Sequence, residues 1–135
     1  MEPDVVTLVR SDELTGAAPY AYAAVPPAGA RLVFTAGACP LDEDGTTVAP
    51  GDVAAQAEQA MANLRTTLRT TGANLGDVLK TTVYVATTRR EDLVAAWDVV
   101  HRHFGDHDAP STLLGVSVLG YPDQLVEVEA VAALR

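Results

Sequence analysis

A single cysteine, Cys39, stands among 135 residues, and one thiol can build neither an internal disulfide framework nor a thiolate metal site by itself. Any bound metal would have to be held by His and carboxylate ligands. Aromatic residues are as scarce, with one Trp, two Phe and four Tyr, so the core must be assembled mainly from Val, Leu and Ala on regular strands and helices. Basic residues are also few. Nine Lys plus Arg face eighteen Asp plus Glu, a net charge of -9, and such a surface repels a phosphate backbone, which argues against nucleic acid as a partner. No apolar run approaches the roughly 20 residues of a spanning helix. Met1, Glu2, Pro3 and Asp4 lack the basic start and apolar stretch of a secretory leader, so a soluble, cytoplasmic protein without a membrane partner is expected. Long linkers, low-complexity tracts and fixed-period repeats are missing too. At 48% hydrophobic, the length suffices for one domain over residues 1–135 but not for two.

What is present reads as alternating strands and helices. Residues 5–9 (VVTLV) and 20–25 (YAYAAV) predict an opening hairpin, broken by Pro26, Pro27 and Gly29. Residues 31–38 (RLVFTAGA) predict a third strand, ended by Cys39 and Pro40 and followed by turn chemistry through Gly45. Asp52 can cap a helix over 53–71, where Val53, Ala57, Ala60, Met61, Leu64 and Leu68 form an apolar stripe that stops before Gly72. Residues 79–86 (LKTTVYVA) read as a strand. Thr88 and Glu91 have capping-box spacing, and Leu93, Trp97, Val100 and Phe104 then recur at helical intervals, predicting a helix over 89–104. Two final strands, 112–119 and 124–134, flank a turn at Gly120–Tyr121–Pro122–Asp123.

Each helix has one apolar stripe, so both should lie on one face of a single mixed sheet. On the last strand Val126, Val128, Ala130 and Ala132 share one side, and Leu125, Glu127, Glu129 and Val131 the other. Two glutamates on so apolar a strand imply a semi-buried second face. The simplest cover for it is another copy of the chain, with polar pockets where copies meet.

Five ordered segments carry a resemblance to a known family. They are Ala18-Pro19-Tyr20, Leu32 to Pro40 (LVFTAGACP), Asp52 to Asn63 (DVAAQAEQAMAN), residues 76–85 (GDVLKTTVYV) and residues 125–132 (LVEVEAVA). Together they resemble the reactive-intermediate deaminases, the Rid or YjgF family, across nearly the whole chain. The resemblance implies a chorismate-mutase-like α+β fold, a homotrimer with three clefts between subunits, and cofactor-independent hydrolysis of enamines and imines to a keto acid and ammonia.

It also implies where the site should be. Tyr20 matches the family's cleft tyrosine and Glu127 the carboxylate that orients the attacking water. The family's carboxylate-binding Arg is missing, and its position falls on Ser111 or Thr112, which bring a hydroxyl without a charge. Ala38 replaces a common Gln, next to Gly37, and Trp97 replaces a common Asn; with Ser111 and Thr112 these complete the expected substrate-binding set. The pocket should therefore be more apolar, and its small-molecule substrate an imine or enamine other than a 2-imino acid. A non-catalytic trimer that binds a small ligand or regulates a partner enzyme is the alternative.

Bland readings stand beside the functional ones. Glu127 and Glu129 can be satisfied by neighbouring groups or line a trimer channel, and Tyr20 can cover a sheet edge. Strand edges carry residues like Ser111 and Thr112 without chemical cause. Trp97 is in register with the core stripe. Cys39 has only acidic neighbours in sequence, so nothing makes it a nucleophile. His101, His103 and His107 lie near Asp106 and Asp108, but two residues apart on a helix they diverge, so no metal is expected. Lys80 and Arg31 are cations that could replace the missing charge, although neither aligns with the family's anchor.

Overall fold

The computed structural model describes residues 6–134. A short hairpin comes first, β1 (Thr7–Val9) antiparallel to β2 (Ala23–Val25). It forms a sheet of its own, whereas the sequence reading placed every strand in one mixed sheet. Val5, the start of the expected first strand, lies outside the described residues.

The main sheet contains β3 (Arg31–Phe34), β4 (Val78–Ala86), β5 (Ser111–Val116) and β6 (Val126–Leu134), in the order β3-β6-β4-β5. β6 is antiparallel to both β3 and β4, while β4 and β5 run parallel. A parallel pair needs a long crossover, and α2 (Arg90–Phe104) supplies it. α1 (Val53–Thr71) carries the chain from the β3 side to β4, with a 3₁₀ turn at Leu75–Asp77 before the strand.

α1 has the expected bounds because both ends are fixed locally. Asp52 accepts the Ala55 N–H at 3.0 Å. At the other end Gly72 takes φ 93°, and its N–H turns back to Arg69 and Leu68 carbonyls, a conformation that glycine adopts without the penalty a Cβ brings.

The capping box expected for α2 is absent. Arg89 stands at the cap position without a side-chain bond, and Thr87 rather than Thr88 organises the turn, accepting the Arg89 N–H at 3.0 Å and donating to Asp92 at 2.6 Å. Several strands are shorter than the sequence suggested, with β2 beginning only at Ala23 and β6 only at Val126. β3 stops at Phe34, with Ala38 rejoining β6 only as an isolated bridge to Val128, and β5 ends at Val116 rather than at residue 119.

Both helices cover one face of the sheet. Met61, Leu64 and Leu68 of α1 and Ala96, Val99 and Val100 of α2 are buried with Val83, Val85, Val126, Val128, Ala130 and Ala132. The period of two along each strand sends the intervening residues to the opposite face: Lys80, Thr82 and Tyr84 on β4, Glu127, Glu129 and Val131 on β6, Thr112 and Leu114 on β5. Among the described residues no helix covers that side. Phe34 there is 72% exposed, and Leu32 and Leu114 are exposed with it, more apolar surface than a free sheet face ordinarily presents.

Candidate functional site

A cleft of about 480 Å³ opens at the start of β5, lined by Pro19, Tyr20, Trp97, Ser111, Thr112 and Leu113. The loop between β1 and β2 brings Tyr20 there through long-range bonds: the Ala21 N–H donates to the Asp108 carbonyl at 2.8 Å. Arg10 adds a bond to the Ala18 carbonyl at 3.1 Å and an ion pair with Asp108 at 3.2 Å. Tyr20 then meets Trp97 edge to face, with centroids 6.2 Å apart. Trp97 stacks on His101 at 5.5 Å, whose Nε2 lies 3.4 Å from Asp108 Oδ1.

Trp97 is thus half-buried at the cleft, and the core stripe of α2 is carried by Ala96, Val99, Val100 and Phe104. The register argument that put Trp97 in the core overlooked that a stripe has an edge. A large ring on that edge reaches past the core and forms a wall.

Ser111 and Thr112 point to opposite faces of β5. Ser111 is turned toward Thr81, whose hydroxyl donates to its Oγ at 2.7 Å. Thr112 is exposed on the open face, where Lys80 Nζ donates to its Oγ1 at 2.5 Å.

Glu127 lies elsewhere. On β6 its register partner is Tyr84, so β4 separates it from β5 and the cleft, about 10 Å for two strand spacings. Its Oε1 accepts from Gln124 Nε2 at 3.1 Å and from the Cys39 thiol at 3.5 Å. Oε2 sits over Gly37, where an added Cβ would come within 2.1 Å of it. Gly37 is therefore the notch that admits the carboxylate. Ala38, expected beside a substrate, instead bonds through its backbone to Val128 and buries its side chain in the core.

Burial, and then the negative charge of Glu127, push the Cys39 thiol up to about 11. A thiol this reluctant to ionise is a hydrogen-bond donor at neutral pH rather than a nucleophile. On the same face partial burial, with Glu129 and then Glu127, pushes the Tyr84 phenol above its usual range.

Within one chain, then, Tyr20, Trp97, Ser111 and Thr112 come together, and Glu127 and Gly37 form a second group. Sequence reasoning missed Gln124, which follows the turn and is buried under Glu127. It carried no signal, because its role comes from a side chain folding back onto its own strand. The three histidines separate: His101 goes to Asp108, His103 to Glu58 at 2.6 Å, and His107 to the Val78 carbonyl at 2.7 Å. Among the described residues no group of three or more His, Cys, Asp or Glu could hold a metal ion. Among them, too, no helix is long and apolar enough to cross a membrane.

Two helices on one face of a four-stranded mixed sheet, with a cleft at one end and a carboxylate on the uncovered face, define a chorismate-mutase-like α+β protein. Its backbone superposes on a Rid family protein from Yersinia pestis, with a TM-score of 0.88 and 28% identity over 96% of this chain and 98% of that one. Escherichia coli TdcF, solved with bound serine, matches with a TM-score of 0.66 and 28% identity over 96% and 99% of the two chains. The family model described as Endoribonuclease L-PSP matches residues 11–134. The chain belongs to that family, the Rid or YjgF proteins. Among relatives, the 2-iminobutanoate/2-iminopropanoate deaminase of Escherichia coli is 32% identical over 107 residues, 78% of this chain and 81% of the relative. The Myxococcus xanthus protein DfrA is 32% identical over 126 residues, 92% of both chains.

Proposed function

We propose that the protein hydrolyses a reactive imine or enamine to a carbonyl compound and ammonia without a cofactor, in clefts between the subunits of a homotrimer. One observation carries the reading: the Glu127 carboxylate is held at Oε1 by Gln124 and Cys39 while Oε2 projects over Gly37. A carboxylate fixed through one oxygen can take a proton from water through the other. The water oxygen bonds to the electrophilic carbon of a protonated imine, the C=N π pair moves to nitrogen, and the proton passes to Glu127. Returned to the nitrogen, that proton lets the C–N bond break and ammonia leave, while the hydroxyl proton passes to Glu127 as the C=O bond forms. An enamine enters the same sequence after protonation at carbon.

Tyr20 would hold the substrate from the cleft side, and Trp97 would wall an apolar substituent. In a trimer, the Glu127 group of one copy would face the Tyr20 cleft of the next. The exposed Leu32, Phe34 and Leu114 on the uncovered sheet face support burial against another copy. The net charge of -9 speaks against a ribonuclease.

The test is the rate of imine loss when 2-iminobutyrate is generated in situ, with wild type, Glu127→Gln and an active relative run together. Acceleration that falls at least a hundredfold in Glu127→Gln supports the reading, and an unchanged rate in the variant refutes the role of Glu127. A solution mass near one chain would remove the shared cleft. Binding without turnover of any imine would favour the second reading, a ligand-binding trimer, for which the hydroxyls at positions 111 and 112 in place of a charged group are the supporting feature.

A further inference from the structure

Behind the cleft wall lies a closed ring of contacts whose charged members the hydrolysis above does not use. Asp108 is its hub. It follows α2, and three of its oxygens reach other parts of the chain: the carbonyl accepts the Ala21 N–H at 2.8 Å, Oδ2 accepts from Arg10 Nη2 at 3.2 Å, and Oδ1 lies 3.4 Å from His101 Nε2. Arg10 turns its other terminal nitrogen to the Ala18 carbonyl at 3.1 Å. Pro19 and Tyr20 are thus tied to Asp108 from both sides, at Ala18 through Arg10 and at Ala21 directly.

The other half of the ring is aromatic. His101 stacks on Trp97 with centroids 5.5 Å and planes 18° apart, and Trp97 meets Tyr20 edge to face at 6.2 Å. Among the described residues Trp97 makes no hydrogen bond, so packing alone holds its indole and the imidazole sets its angle. The Arg10 and Asp108 side chains are 42% and 33% exposed, and an ion pair that open to water adds little stability. Links closed into a network nevertheless restrict one another. The work of this ring is geometric.

We propose that Asp108, through Arg10 and His101, is a positioning residue that sets the spacing of Tyr20 and Trp97, and so determines how well the cleft accepts a large apolar substituent. None of the three lines the cleft; all act through the two aromatic rings. The selectivity rests on the hydrolase reading above, but the ring of contacts does not. Loosening it frees the Trp97 wall and the Tyr20 loop together, and a shift of about 1 Å there removes the advantage of a substituent that fits. A small substituent reaches less of the wall and loses less.

Two imines generated in situ, 2-iminobutyrate and 2-imino-4-phenylbutyrate, share a carboxylate and differ by a terminal phenyl, so the ratio of their kcat/KM values reads the wall. Asp108→Ala and His101→Leu should lower the ratio of the phenyl substrate to the smaller one by about tenfold, through the KM of the phenyl substrate. Arg10→Met should follow them, whereas Arg10→Lys, which keeps the ion pair, should hold the wild-type ratio. Trp97, the only tryptophan of the chain, reports the wall without any substrate: acrylamide should quench its fluorescence more strongly in the three disrupted variants. Arg89→Met, which breaks the exposed pair with Glu91 at the start of α2, controls for loss of a charge and should move neither readout.

A wild-type ratio in Asp108→Ala and His101→Leu overturns the proposal, and so does unchanged quenching of Trp97 in both. If wild type turns over neither imine beside an active relative, it is the hydrolase reading that fails. Selectivity is then read by calorimetry of the two keto acids, 2-oxobutyrate and 2-oxo-4-phenylbutyrate. A preference for the phenyl compound that both variants keep, or a wild type that binds neither acid, overturns the positioning role; a preference lost with Asp108 and His101 upholds it.

Discussion

Replacing Gly37 with alanine moves the Glu127 carboxylate and little else. Gly37 is outside the set of glycines with positive φ, so its backbone accepts a side chain without strain. The new methyl, however, would lie 2.1 Å from Oε2, 2.4 Å from Cδ and 2.6 Å from Cγ of Glu127. Relief requires the carboxylate to retreat by more than about 1 Å, a displacement that can cost on the order of 100-fold in rate at a catalytic group. Moving it also loosens the bonds from Gln124 and Cys39, at about 1 kcal/mol each. The reduced freedom of the unfolded chain offsets about 0.4 to 1 kcal/mol. Stability should fall by about 1 kcal/mol while the imine-loss assay falls about 100-fold. The Cys39 thiol offers a readout independent of turnover. With Glu127 displaced, its alkylation midpoint drops from about 11 toward the value that burial alone sets. A Gly37→Ala protein with wild-type rate and an unmoved thiol midpoint would refute the placement of Glu127 over the notch.

Glu127→Gln should likewise lower the thiol midpoint from about 11, read by the pH dependence of iodoacetamide alkylation. Because the folded thiol keeps its proton above its ordinary value of 9.0, wild type gains stability that is complete below pH 9 and lost as pH rises toward 11; in the variant that loss is smaller. Gln56 is fully buried, accepts the Leu125 N–H at 2.7 Å and donates to the Asp123 carbonyl at 2.9 Å. Gln56→Leu strands both groups and should cost about 2 to 4 kcal/mol in denaturant unfolding, and a loss below 1 kcal/mol would contradict that role. Glu58 pairs with His103 and Arg102 on an exposed helix surface, with His103 first in holding its carboxyl below the usual range. That contribution is present above the unfolded carboxylate value and fades as pH falls through the folded one. After screening by solvent, Glu58→Gln should change stability by less than about 1 kcal/mol at neutral pH in the same experiment.

Much of this architecture is local and could be read from the chain itself. The stripe from Val53 to Leu68 between Asp52 and Gly72 specifies α1, because cap chemistry and helical period act within a few residues. The alternation from Leu125 to Ala132 divides β6 into a core side and an open side, as the pleat requires. Five ordered matches gave the family. Nothing so local announced that Thr87 would displace Thr88 at the start of α2, or that β3 would stop at Phe34, since both depend on which partners the chain meets.

The candidate site was legible residue by residue but not in its arrangement. Tyr20, Trp97, Ser111, Thr112, Glu127 and Gly37 were all named from sequence, yet only the register of β5, β4 and β6 separates the cleft from Glu127. Gln124 and Cys39 acquire meaning because a turn and a strand end converge beneath one carboxylate. From sequence, His101 and Asp108 belonged only to a cluster that diverges too far to hold a metal, and Arg10 carried no signal. The tertiary structure joined the three behind Trp97, because the loop after β1 folds against the residues that follow α2 and charge acts through space rather than along the chain.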